Sequence, residues 1–238
     1  MVRPAFPAYA DENARLRDAA RLLSGVRDRA VLVETCAALT GRHGDRLDRR
    51  TTRPFVAELE AERDAAGAAD DLSDRIAAFR DALTAARAAA RDWDLEASGW
   101  DAIRGGLSLT HGRARNAMKV AADSRDPDDL HAWRKRVKYH WYHARLLKRI
   151  FPPLMDAHRG VASDLADLLG DHHDLAVLRD RLDRSALAED AKGALSGLIA
   201  ADMARLERKA FALGRPLLAE KPKRLAARWG DWWRMAGG

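Results

Sequence analysis

The stretch DLHAWRKRVKYHWYHARLL, Asp129 to Leu147, sets Arg134, Lys135, Arg136 and Lys138 within five positions. His131, His140, His143, Trp133, Tyr139, Trp141 and Tyr142 surround them. Its apolar residues do not alternate as in a strand. Leu130, Trp133, Val137, Trp141, Ala144 and Leu147 recur every three or four positions, which is the period of a helix. At about 100° per residue these six share one arc, while Arg134, Lys135, Lys138, Tyr142 and Arg145 fall within ~60° of His131 on another. One stripe therefore packs into a core and a basic stripe runs at its rim. Like charges three or four residues apart repel each other, so a stripe almost without carboxylates implies an anionic occupant.

The preceding helix carries a second basic cluster, THGRARNAMK at 110–119. His111 and Arg115, four residues apart, share a face, and Arg113 points elsewhere. The short SRDP connection makes the two helices antiparallel neighbours, so both clusters are expected to face one channel. Arginine forks suit phosphate, and lysines add point charge.

Outward from these two helices the whole chain reads as all-α. β-branched residues are scarce, and breaks fall at Gly and Pro, including LSG near 25, GRHGD at 41–45, LLGD at 168–171 and EKP at 220–222. Helices are expected at about 9–23, 27–42, 53–65, 70–92, 99–123, 128–151, 153–169, 172–184, 186–216 and 221–236. LLSGVRDRAVLVE at 22–34 aligns without gaps on LLGDHHDLAVLRD at 168–180. Each copy reads as helix, polar turn, helix, which predicts two related helical halves.

The 238 residues hold 42 Lys and Arg against 36 Asp and Glu, net +6, with Cys36 the only cysteine. A lone cysteine excludes an intramolecular disulfide and a Cys-based zinc site, and fits a reducing cytoplasm. No run approaches a signal peptide or the ~20 apolar residues of a membrane span. A cytoplasmic protein without a membrane partner is expected.

LHAWRKRVKYHWYHARLL resembles the signature helix of the CHAD (conserved histidine α-helical domain) family, roughly His-x-x-Arg-x-x-x-Lys, on His131, Arg134 and Lys138. LLGDHHDLAVLRDRL resembles the family's second signature on Gly170, His173 and Asp174. RDAARLLSGVRDRAVLVETCAAL is similar to its first-half counterpart, with Arg27 and Asp28, and ALGRPLLAEKPKRLAARW to its basic C-terminal stretch. The resemblance implies a single domain over 1–238 made of two antiparallel helical bundles related by pseudo-twofold symmetry, 1–95 and 96–238. It further implies a basic groove between the halves that binds inorganic polyphosphate without catalysis, and an association with polyphosphate granules. The family's first half opens on a His/Arg-rich helix that has no counterpart before residue 2 here, so the first half is expected to lack it. Tyr139 and Trp141 also stand where the family commonly has Arg.

The expected principal contacts are His131, Arg134, Lys135, Lys138, Arg115 and His111. Arg113, Arg145, Arg27, His173, Lys221, Lys223 and Arg224 are secondary. Crowding by Arg134, Lys135 and Lys138 is expected to lower the His131 pKa and a bound polyanion to raise it, with proton uptake near neutral pH. No nucleophile arrangement, phosphate-cradling Gly loop or cofactor motif is visible. No metal site is expected, because adjacent His172 and His173 diverge by ~100°. His173 and Asp174 are expected to pair or cap at a turn. Three rivals use the same charges, one of them a structural reading in which the groove is a protein interface for an acidic partner. A nucleic-acid binder is disfavoured because the aromatics of the basic helix fall largely on its packing face. A phosphoanhydride-processing accessory domain would need a carboxylate cluster for metal.

Overall fold

The structure is a computed structural model and describes residues 1–44, 49–68 and 71–237. Its helices are α1 (Tyr9–Arg42), α2 (Arg49–Gly67), α3 (Leu72–Ala89), α4 (Gly99–Ser124), α5 (Pro127–Leu146), α6 (Pro152–Asp183), α7 (Glu189–Leu217) and α8 (Pro222–Met235). Short 3-10 turns at Arg3–Ala5, Ala90–Asp92 and Lys148–Ile150 join them, and no strand occurs among the described residues. No helix among those residues is long and apolar enough to cross a membrane.

Two expected turns are absent. The segments 9–23 and 27–42 form one helix, α1, and 153–169 and 172–184 form one helix, α6. A glycine inside a helix costs about 1 kcal/mol relative to alanine, less than flanking burial supplies. In α6, Leu165, Leu169, Leu175 and Leu178 are buried on both sides of Gly170. In α1 the Gly25 carbonyl accepts a hydrogen bond from the Arg29 guanidinium at 3.0 Å. The aligned stretches 22–34 and 168–180 thus each lie inside a long helix, with no turn between two shorter ones. The expected start of α3 at residue 70 and the end of the GRHGD break at residue 45 lie outside the described residues.

The chain divides into two compact units that are discontinuous in sequence. One comprises Met1–Pro7, Asp94–His173 and Ala204–Gly238; the other comprises Ala8–Trp93 and Asp174–Met203. One boundary between the units falls between Trp93 and Asp94. The C-terminal part of α6 and the N-terminal part of α7, however, count with α1 to α3, which reading consecutive helices as consecutive halves does not anticipate. The first unit holds 23 Lys and Arg against 14 Asp and Glu, net +9, and the second 19 against 22, net −3. They are called the basic and the acidic unit below.

In the basic unit, α5 begins where Pro127 occupies the first helical turn and the Asp126 side chain accepts a hydrogen bond from the Asp128 N–H at 2.8 Å. Five of the six residues on its expected core arc, Leu130, Trp133, Val137, Ala144 and Leu147, are buried, and Trp141 is partly buried. Trp133 is enclosed by the core of α4, α6 and α7, with its indole stacked on Phe211 at 5.0 Å. Gly214 makes room for it: a Cβ there would lie 2.5 Å from the Trp133 ring. A second core cluster joins Ile103 and Leu107 of α4, Met155 of α6, and Leu225 and Trp229 of α8. Trp232 and Trp233 of α8 pack against the same cluster.

The acidic unit buries Cys36, Leu39, Phe55, Leu59, Leu182, Leu195 and Ile199. Burial pushes the Cys36 thiol up to about 11. Arg181 of α6 reaches both Glu58 and Glu62 of α2, and Arg42 of α1 reaches the buried Asp202 of α7. The Arg75 Nε of α3 donates to the Leu22 carbonyl of α1 at 2.7 Å.

Candidate anion-binding site

Two sequence motifs about forty residues apart meet in the basic unit. The His131 ring of α5 stacks on His173 of α6, with centroids 3.8 Å apart and planes inclined by 27°. The Arg134 guanidinium lies against Gly170, where a Cβ would stand 3.3 Å from its Nε. The members of each pair are three residues apart and run in opposite order on the two helices, as antiparallel packing requires. Gly170 is therefore a point of close approach inside a helix, and the expectation that His173 and Asp174 cap a turn is corrected. Its neighbour His172 is buried and faces Glu207 of α7 at 3.2 Å.

His131 is half-buried, and its pKa is lowered to about 4. Burial is the largest cause, followed by His173, Lys135 and Arg134, with Asp128 acting in the opposite sense. Cationic crowding, the expected cause, is secondary to desolvation. His131 Nδ1 and Arg134 Nε are both buried without a hydrogen-bond partner. Arg134 is half-buried and makes no ion pair among the described residues. Lys138 is half-buried and Lys135 is exposed. Arg145 is exposed and lies over the Trp141 ring, 5.7 Å from its centroid. From Leu130 to Met155 the sequence has seven Lys and Arg and no Asp or Glu.

His111 and Arg115 are placed otherwise than expected. His111 is wholly buried, and its Nε2 donates to the Glu220 carbonyl at 2.9 Å. Arg115 donates to the carbonyls of Leu218, Ala219 and Glu220, at 2.5 Å for Leu218 and 2.6 Å for Glu220. Both side chains are thus committed to the turn that closes α7, where free carbonyls collect negative potential. A ligand in solvent does not reach His111. What the pair does is fix the turn that presents the exposed Lys221, Lys223 and Arg224. Glu220, on the same turn, pairs with Arg228 at 2.6 Å. Arg113 is exposed on α4, and Arg27 is exposed on α1 in the acidic unit.

A buried histidine chain escaped the sequence reading. His140 Nε2 lies 2.8 Å from His158 Nε2, the His111 and His140 rings are 4.9 Å apart, and Trp229 packs on both His140 and His158. Burial holds all three imidazoles below their ordinary pKa, His158 at about 4. The signal was present: on a helical wheel His140 falls beside Trp133 and Ala144, on the core arc. The expected outward chemistry of histidine hid it. Of the α5 aromatics only the two tryptophans of the expected core arc face inward; Tyr139 and Tyr142 are exposed, Tyr142 on the basic stripe as expected.

Among the described residues no group of three His, Cys, Asp or Glu is arranged to hold a metal ion. A family model described as CHAD domain matches residues 1–183, which takes in both the His131/Arg134 and the Gly170/His173 pairs. No curated protein and no solved structure matches the chain.

Proposed function

The chain belongs to the CHAD domain family, and from that premise we propose that it binds inorganic polyphosphate through the basic unit and does so without catalysis. The observation that carries this reading is α5. Its Arg134 and His131 rest on neutral partners, Gly170 and the His173 ring, so their hydrogen-bonding capacity is not consumed by carboxylates of the fold. Arg134, Lys135, Lys138 and His131 are the principal contacts, with Arg113, Arg145, His173 and the Lys221, Lys223 and Arg224 segment as a second group. Arg115 supports that segment. Association with polyphosphate granules in the cytoplasm would follow from the same affinity.

Binding of this kind releases counterions, so affinity falls steeply with salt. Titration of long-chain polyphosphate at two salt concentrations tests it. The Arg134→Ala, Lys138→Ala double variant is expected to bind at least about tenfold more weakly and with a shallower salt dependence. Equal binding by both proteins would remove α5 from the site. Competition with DNA at equal phosphate concentration separates polyphosphate from a nucleic-acid ligand. Phosphate release in the presence of Mg²⁺ or Mn²⁺ would reveal an enzyme instead.

A further inference from the structure

One face of α5 lies outside the buried cores, touching them where the Tyr142 ring meets Trp141, with centroids 4.7 Å apart. Ala132, Lys135, Tyr139, Tyr142 and Leu146 are all exposed, Tyr139 by 52%, Tyr142 by 43% and Leu146 by 71%. Their spacing is three, four, three and four residues, the repeat with which one helix seats a second along a shallow crossing. The seam is about 21 Å long at 1.5 Å per residue. Single exposed apolar residues are ordinary, but three large ones aligned in a row mark an interaction surface. Arg136 and Arg145 flank the seam and Lys135 lies within it. None of the three makes an ion pair among the described residues.

We propose that this outward face of α5 is a docking surface for an acidic amphipathic helix of a partner protein. Apolar side chains of the partner pack on Ala132, Tyr139, Tyr142 and Leu146, and its carboxylates meet Lys135, Arg136 and Arg145. The chemistry selects this occupant over others. A second copy of the chain joined through the same face would set these cations against one another. A phosphate chain, with or without bases, gains nothing from Ala132 or from Leu146, the most exposed residue of the seam. Flanking charges of one sign choose a partner of the other, and tyrosines supply contact area at little entropic cost. Docking here shares Lys135 and Arg145 with the proposed polyphosphate site, so a long polyphosphate is expected to compete, while the seam residues Ala132, Tyr139, Tyr142 and Leu146 belong to docking alone.

The test uses the full chain and a synthetic three-heptad helical peptide with Leu at the seam positions and Glu on the flanks. A copy with Lys in place of Glu and a scrambled copy serve as controls, and fluorescence anisotropy is the readout. The Glu peptide is expected to bind at least about tenfold more tightly than either control. The exposed Tyr139→Ser, Tyr142→Ser, Leu146→Ser variant should lose that advantage while keeping its helical circular dichroism. The Arg136→Glu, Arg145→Glu variant should prefer the Lys peptide. Four results would overturn docking of an acidic helix: equal binding of the Glu and Lys peptides, no effect of the serine variant, self-association that the serine variant abolishes, or a single-stranded oligonucleotide whose binding needs the tyrosines while the Glu peptide binds no better than its scrambled copy.

Discussion

In the acidic unit two guanidinium groups tie helices together through carboxylates: Arg181 on Glu58 and Glu62, Arg42 on Asp202. In the basic unit Arg228 and Arg125 also reach carboxylates, Glu220 and Glu207, but three others end on neutral groups: Arg115 on three main-chain carbonyls, Arg134 against a glycine, Arg145 over an indole. Seven of the eight histidines also belong to the basic unit. The acidic unit uses Arg181 and Arg42 to tie helices through carboxylates, whereas the basic unit leaves Arg134 and Arg145 facing neutral groups. Formal net charge averages these two behaviours to +6 and conceals both.

The contrast can be tested at decreasing scales. The largest effect is expected from Trp133→Ala, which empties the centre of the basic unit and should cost about 3–5 kcal/mol in urea unfolding. Next comes a reciprocal pair. Arg181→Met should lower stability by about 1–2 kcal/mol and leave polyphosphate affinity unchanged. Arg134→Ala, which removes a guanidinium that meets no carboxylate among the described residues, should weaken polyphosphate binding about five- to tenfold and leave the unfolding midpoint nearly unmoved. If both variants altered both measurements, charge would not be divided between the units in this way.

Acid should act on the basic unit selectively. Burial lowers the pKa of His111, His140, His143 and His158 below the ordinary 6.5, His143 to about 3 and His158 to about 4. The folded state then holds neutral imidazoles that the unfolded chain would protonate. Stability present above about pH 6.5 is lost as pH falls toward 4, by at most about 1.4 kcal/mol per pH unit for each imidazole. Thermal melts between pH 7 and pH 4.5 measure it, and His140→Leu should flatten the profile. Polyphosphate affinity should move oppositely over the upper part of this range, rising from pH 7 to pH 5.5 as bound ligand draws a proton onto His131, whose pKa in the free protein is about 4. This places the expected proton uptake on the acid side of neutrality.

The smallest effect is expected from Gly170→Ala. Replacing a helical glycine stabilises by up to about 1 kcal/mol, while the new Cβ presses on Arg134 and should reduce polyphosphate affinity about two- to threefold. Isothermal titration together with a melt separates the two signs.

Much of this was legible in the sequence. The three- and four-residue spacing of Leu130, Trp133, Val137, Ala144 and Leu147 placed the core side of α5 correctly, because periodicity reports burial directly. Gly25 and Gly170 misled, because a local propensity of about 1 kcal/mol yields to the packing of a long helix. His111 and Arg115 misled for another reason. Residue type announces charge and hydrogen-bonding capacity, but the partner that satisfies them, here the carbonyls of residues 218–220, lies about a hundred positions away. The discontinuous units were hidden likewise, since nothing local marks the point along α6 or α7 at which neighbours change.

The burial of Cys36 has a practical use. As the chain's sole thiol, it offers one labelling site, and its 1% exposure means a thiol reagent reacts only during transient opening of α1. The rate of that modification under native conditions is a clock for breathing of the acidic unit, readable by mass spectrometry without introducing any probe.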